Sequence, residues 1–125
     1  MLTTVTSGFL FSVEGNSFDD ELYVANQGLH DYTGPSITSY ITGQQWLHLA
    51  LVFGAAVKPT LYVNGVFVNT FSTTSFVVAQ TYTNVFFGTC PWEPTLHHFY
   101  GGIDDLMLFS RQLTNNEIAA LSAFA

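Results

Sequence analysis

Apolar residues occupy both faces of segment 46–53, whose sequence is WLHLALVF. Because side chains alternate between the two faces of a β-strand, this run predicts a strand that is buried on both sides. Two further apolar runs, at 60–63 and 66–71, meet at Asn64-Gly65. Both turn residues tolerate the positive φ angles of a tight hairpin. The pattern therefore predicts a strand in the middle of a β-sandwich, followed by an Asn64-Gly65 hairpin.

Shorter apolar runs, separated by turn residues, predict the remaining strands. Gly34-Pro35, Lys58-Pro59 and the proline-interrupted segment 90–94 are typical of turns and loops. The predicted strands are 5–13, 21–25, 36–41, 45–53, 60–63, 66–71, 76–79, 84–87 and 99–109.

The residues after the last predicted strand carry the signals of a short helix. Thr114 and Glu117 have the spacing of a capping box, in which each side chain accepts a hydrogen bond from the other residue's backbone N–H. Leu113 and Ile118 fit the hydrophobic staple that accompanies such a box. Segment 114–124 therefore predicts a helix that docks on the sandwich.

Several of these motifs occur in a recognisable order: WLHLALVF, LYVNG and FFGT, then FYGGIDDLMLFSRQLTNNEI. From about Gly8 to the C-terminus the chain resembles the laminin-G-like, concanavalin A-like jelly rolls. The resemblance implies an all-β, antiparallel jelly-roll β-sandwich with a short C-terminal helix, and the length of 125 residues fits a single domain over 1–125. TTVTSGFLFSVEG is similar to a strand from the middle of the family's order, which predicts that the leading strands are missing.

Composition narrows the classes of function. Charged residues make up 9% of the chain, against about 25% in ordinary soluble domains. The net charge is −7, and only Lys58 and Arg111 are positive. Two cations cannot form a phosphate-binding face, so we expect neither nucleic acid nor an anionic membrane as a partner. No run approaches the ~20 apolar residues of a membrane-spanning helix, and the N-terminal sequence lacks a signal-peptide pattern.

The carboxylates argue against a glycanase. Enzymes among these jelly rolls resemble one another in an E-x-D-x-x-E run, which places carboxylates on one face of a strand, and this chain has no such run. Asp104 and Asp105 are adjacent and would point to opposite faces of a strand. We expect Asp104 to pair with Arg111 and so to seat the C-terminal helix. The chain is therefore predicted not to be an enzyme.

Metal binding has one candidate. Asp19, Asp20 and Glu21 supply the hard oxygen atoms that calcium prefers, although a solvated acidic turn is the alternative. Cys90 is the single cysteine, which excludes an internal disulfide and a cysteine metal site. His48, on the buried strand, is expected to be a hydrogen-bonded core residue. Calcium is thus the one cofactor that the sequence suggests.

Aromatic and polar residues near the predicted loops suggest a glycan site. Sugar rings stack on exposed aromatic side chains, while carboxylates and other polar groups bind the hydroxyls. Trp92 would serve equally well as a packing lid or as a contact with another subunit. The candidate residues are Trp92, Glu93, His97 and Tyr82.

We expect a non-enzymatic structural or interaction module, a subunit of an extracellular or particle-surface assembly such as a filament, fibre or virion. The low charge, the surface of Thr, Asn and Gln, and the missing leading strands support this reading. Unpaired strand edges add strands from other chains, so the expected partners are copies of this chain or another subunit. The alternative is a lectin-like domain that binds glycan, with or without calcium.

Overall fold

The computed structural model describes residues 9–15, 20–26, 29–40, 46–54, 57–71, 87–88 and 101–124. Within these ranges it has two antiparallel three-stranded sheets, a 3-10 turn at Thr38–Tyr40 and an α-helix, α1, at Asn115–Ser122. The first sheet has the order β1-β2-β3, and the second has the order β4-β5-β6. The strands are β1 (Phe9–Gly15), β2 (Asp20–Asn26), β3 (Leu29–Ser36), β4 (Leu49–Gly54), β5 (Val57–Val63) and β6 (Val66–Thr70).

The strand β3, which lies at the edge of the first sheet among the described strands, contains a bulge that the sequence does not reveal. Glu21 of β2 lies opposite Ser36, whereas Tyr23, two residues later, lies opposite Thr33. The extra residue of β3 falls at Gly34-Pro35, and an edge strand tolerates proline there because it needs no ladder donor at that position. The prediction of a turn at Gly34-Pro35 and a strand at 36–41 is therefore wrong, and residues 38–40 form a 3-10 turn.

The described core lies on one face of the second sheet. Leu61 and Val63 of β5 are fully buried and face Leu51 and Leu49 of β4. Alternation places these four side chains on the same face. Ile37, which follows β3, and Phe71, which follows β6, are buried in the same cluster. The core therefore links the end of β3, in the first sheet, to the second sheet.

The segment predicted as the central strand is an end strand among the strands that the structure describes. β4 begins at Leu49 rather than at 45, and β5 lies between β4 and β6. The ladder stops because His48 is bonded to the hairpin turn: its carbonyl accepts from the Asn64 N–H at 2.8 Å, and its N–H donates to Asn64 Oδ1 at 3.1 Å. His48 is half-buried, and its buried Nδ1 has no hydrogen-bond partner among the described residues. This disagrees with the prediction that His48 is a hydrogen-bonded core residue.

The predicted hairpin is confirmed. Asn64 and Gly65 have φ angles of 51° and 77°, and Val63 lies opposite Val66. Two consecutive positive φ angles are the signature of the two-residue turn that matches the twist of paired strands. Lys58-Pro59, predicted as a turn, instead lies inside β5, where the buried Pro59 accepts a hydrogen bond from the Phe71 N–H at 2.9 Å.

The predicted terminal helix is also confirmed, with Thr114 as its N-cap and both bonds of the capping box present. It packs on the second sheet opposite the core. The Tyr62 hydroxyl donates to Asn115 Oδ1 at 2.7 Å, and Tyr62 points away from Leu61 because neighbours in a strand alternate. Ile118 is fully buried. β5 is therefore covered by the core on one face and by α1 on the other.

The predicted strand at 99–109 is wrong over its described part. Residues 101–110 form no strand, and Asp105 has a φ of 48°, which a continuous strand does not allow. The Asp104 side chain accepts the Asp105 N–H at 2.8 Å, so that donor is already engaged locally. The predicted strand at 76–79 and residues 84–86 of the next one lie outside the described residues, and Phe87 is in a bend.

Candidate functional site

Five large apolar side chains are exposed on the segment that precedes α1. Leu108 is 81% exposed, and the other four side chains are between 49% and 55% exposed. Soluble monomers rarely leave large apolar side chains contiguous and open to water unless the surface binds something. We call this surface the apolar segment, and its members are Ile103, Leu106, Met107, Leu108 and Phe109.

The N-terminal end of the apolar segment is held beneath a tryptophan. A Cβ placed on Gly102 would lie 2.7 Å from Trp46 Cη2, so the six-membered ring of the indole lies against this glycine. Trp46 is nevertheless 67% exposed. Gly88 approaches from another part of the chain, since a Cβ there would lie 3.8 Å from Ile103 Cδ1. An open aromatic ring therefore adjoins the apolar segment.

The C-terminal end is tied to β4. Gln112 Nε2 donates to the Phe53 carbonyl at 3.4 Å, and Gly102 lies against Trp46. The stretch 102–112 therefore runs alongside residues 46–53. From 46 to 53 there are seven residue steps, or about 23 Å of extended chain, whereas the ten steps from 102 to 112 would reach about 33 Å. Asp105, whose φ of 48° departs from extended backbone, takes up part of the excess, and a segment that is longer than its neighbour cannot pair with it residue by residue.

An ion pair connects Arg111, just after the apolar segment, to Glu117 of α1. The Arg111 guanidinium donates to both carboxylate oxygens of Glu117, at 2.7 and 3.0 Å, and Glu117 also accepts from the Thr114 N–H at 2.8 Å and the Thr114 hydroxyl at 2.9 Å. The bonds from Arg111 first, and then those from Thr114, lower the pKa of Glu117 to about 2. The predicted Asp104–Arg111 pair is wrong, because Arg111 binds the carboxylate that the helix cap already orients.

The predicted ligand sites fall largely outside the described residues. Asp19 of the calcium candidate lies there, as does Cys90. Asp20 and Glu21 open β2 rather than forming a turn, and they lie opposite Gly15 and Glu14. In the ranges that the structure covers, no group of three or more His, Cys, Asp or Glu residues could hold a metal ion. All four residues of the glycan candidate also lie outside: Tyr82, Trp92, Glu93 and His97.

Sequence reasoning placed Trp46 in a buried strand and so missed its exposure. The signal that was available is the Gly101-Gly102 pair, because a residue without a side chain allows an aromatic ring to approach the backbone. None of the helical structure in the described ranges has the length and apolar character needed to cross a membrane.

A family model described as the concanavalin A-like lectin/glucanases superfamily, of the laminin G type, matches residues 3–119. The chain belongs to this superfamily. The resemblance inferred from the sequence motifs is thereby confirmed. The superfamily's β-sandwich class agrees with the antiparallel strands and the short helix, while the complete jelly-roll strand order stays a prediction.

A solved structure shares the fold. It is the crystal structure of an S-layer domain-containing protein from Clostridium thermocellum, with a TM-score of 0.55 and 21% sequence identity. The match covers 98% of this chain but 66% of that one, so this chain spans about two thirds of its structural relative. Comparison with curated proteins gave no match.

Proposed function

We propose that this chain is a non-enzymatic structural or interaction module of an extracellular or particle-surface assembly, built on a jelly-roll sandwich. It associates with copies of itself or with another subunit through β edges, and the apolar segment is the surface that the partner covers. The observation that carries the proposal is the exposure of five large apolar side chains between positions 103 and 109, led by Leu108 at 81%.

The energetics of this surface favour association. Complete burial of one large apolar side chain contributes about 1.5–3 kcal/mol, and each of the five members is at least 49% exposed. A partner that covers them thus gains several kcal/mol, before the cost of association. Residues 101–110 pair with no described strand, so a partner can contact their apolar side chains and backbone groups other than the engaged Asp105 N–H.

The surroundings of the apolar segment do not resemble a hydrolytic site. Glu117 is committed to Arg111 and Thr114, and Asp104 accepts from the next residue's N–H. A glycosidase of the usual kind needs two carboxyl groups that flank one bond. We expect no turnover on a broad polysaccharide panel. Hydrolysis that disappears in Asp104→Asn would overturn this part of the proposal.

The solved structure from Clostridium thermocellum supports an extracellular or surface location. That protein is described as S-layer domain-containing, and its fold matches 98% of this chain. A module exposed at a cell or particle surface is consistent with a chain in which only 9% of the residues are charged and in which Thr, Asn and Gln supply the other polar groups.

Light scattering over a range of concentrations tests the proposal. We expect the parent chain to form complexes whose mass rises with concentration, and Leu108→Glu to shift it towards the monomer, because a charge in an apolar contact must be desolvated. Phe124→Glu is the matched control, since Phe124 is 87% exposed but lies beyond α1. If the parent and both variants stay monomeric at every concentration, self-association is contradicted. The chain would then have to bind a different subunit.

A second candidate, glycan binding, is favoured by the exposed Trp46 ring over Gly102. The six-membered ring of the indole lies against the glycine, two thirds of the Trp46 residue is exposed, and exposed aromatic rings stack on sugar rings. Titration of oligosaccharides, followed by tryptophan fluorescence with and without a chelator, tests it. Binding that survives Trp46→Ala would move the glycan site elsewhere, and binding lost with the chelator would support calcium.

A further inference from the structure

The hairpin turn contains the single Asn-Gly pair of the chain, and Asn64 is exposed. We propose that Asn64 is a site of spontaneous deamidation, and that its conversion to isoaspartate destabilises both the hairpin and the packing of α1 against the turn. The modification is independent of the proposed binding function.

The chemistry needs only water. The Gly65 backbone nitrogen attacks Asn64 Cγ, a C–N bond forms, and ammonia leaves with the nitrogen's proton to give a cyclic succinimide. Water then opens the ring at one of its two carbonyls, which gives aspartate or, with the main chain routed through Cβ, isoaspartate. One water is consumed and one ammonia is released. Glycine as the following residue favours the attack because it has no Cβ to obstruct it.

The geometry of the turn supports reaction at this residue. Asn64 Oδ1 accepts the His48 N–H at 3.1 Å, and a donor on this oxygen stabilises the negative charge that develops there during attack. The hydrogen bonds described at the turn engage the Asn64 N–H and Oδ1, and none engages the Gly65 N–H. The nucleophilic nitrogen is therefore not committed to another acceptor in the described structure.

Asn69 provides a contrast within the same hairpin. It is also exposed, but it lies in β6 and is followed by Thr70, a β-branched residue. Its Oδ1 accepts the Thr70 N–H at 2.8 Å, which holds the proton on the nitrogen that would have to attack. Two neighbouring exposed asparagines should therefore differ in reactivity.

Isoaspartate at Asn64 has a mechanical consequence. It adds a methylene to the main chain of a two-residue turn, and the length of that turn sets the register in which Val63 lies opposite Val66. Gly65 also has no room to shift, because a Cβ there would lie 2.9 Å from Ala119 Cα and would collide with Ser122 Oγ. A longer turn therefore presses on α1.

Incubation of the folded chain in mildly alkaline buffer, followed by peptide mass mapping and isoaspartyl methyltransferase labelling, tests the site. We expect loss of the amide at Asn64 and retention at Asn69, at a rate comparable with that of the urea-unfolded chain. An Asn64 that stays intact while the unfolded chain converts would show that the turn protects it and would overturn the proposal. Equal conversion of Asn64 and Asn69 would overturn the role of the turn geometry.

The structural consequence is tested separately on the isoaspartyl fraction, isolated by ion exchange. Asn64→Asp is the matched control because it carries the same charge with a normal main chain. We expect the isoaspartyl chain to unfold at a lower urea concentration than Asn64→Asp. Equal midpoints would show that the added methylene does not disturb the hairpin or α1.

Discussion

Gly65→Val is the perturbation that tests the junction of hairpin and helix. Gly65 has a φ of 77°, where an L-residue costs roughly 1–2 kcal/mol and a β-branched one more. A Cβ would also collide with Ser122 Oγ and lie 2.9 Å from Ala119 Cα, so α1 must move. If half of the burial of Ile118 is lost, that movement adds about 1 kcal/mol. We expect Gly65→Val to lower the free energy of unfolding by about 2–4 kcal/mol.

Urea unfolding, followed by circular dichroism, measures the change, and an unchanged m-value shows that the two states remain comparable. Gly65→Asn is the control, because asparagine tolerates positive φ yet carries a Cβ, so it isolates the collision with α1. It should cost less than Gly65→Val but still be destabilising. A Gly65→Val chain within ~0.5 kcal/mol of the parent, the range of neutral surface substitutions, would refute the contact between the turn and the helix.

The remaining predictions concern the cap, the ion pair and the tryptophan. Thr114→Ala should destabilise the chain by about 1 kcal/mol in urea unfolding and Thr114→Ser much less, since serine keeps the capping oxygen; equal losses would reassign the helix start. The folded pKa of Glu117 is lowered from 4.5 to about 2, so its stabilisation is present above pH 4.5 and is lost as the pH falls towards 2. Thermal unfolding of Glu117→Gln should lack that part of the acid sensitivity, and parallel pH profiles would disprove the assignment to the Arg111 pair. Gly102→Ala should displace Trp46 and change its fluorescence, measured in a background without the second tryptophan; an unchanged spectrum would place the ring elsewhere.

Local signals predicted the elements whose determinants lie within a few residues. The Asn64-Gly65 turn depends on two adjacent φ angles, and the helix start depends on Thr114 and the residue three positions later. These features were confirmed because neither requires knowledge of what packs against them.

The remainder depends on partners that are distant in the sequence. Arg111 pairs with Glu117 rather than Asp104 because the helix cap orients the Glu117 carboxylate, which residue spacing alone does not reveal. The apolar run at 46–53 suggested burial on both faces, yet Trp46 lies exposed over a glycine 56 positions away. Gly34-Pro35 read as a turn because a bulge on an edge strand uses the same residues. Candidate sites that depend on packing are therefore the least accessible to sequence reasoning.

Hydrogen–deuterium exchange, measured at low and at high protein concentration, tests whether a second copy covers the apolar segment. We expect amides in 103–109 to exchange more slowly at high concentration, because a second copy covers the apolar segment, and those of β5 to be slow under both conditions. Leu108→Glu should abolish the concentration dependence, and Phe124→Glu should preserve it. Exchange in 103–109 that is the same at every concentration, in a chain whose mass nevertheless rises, would show that association uses a surface other than the apolar segment.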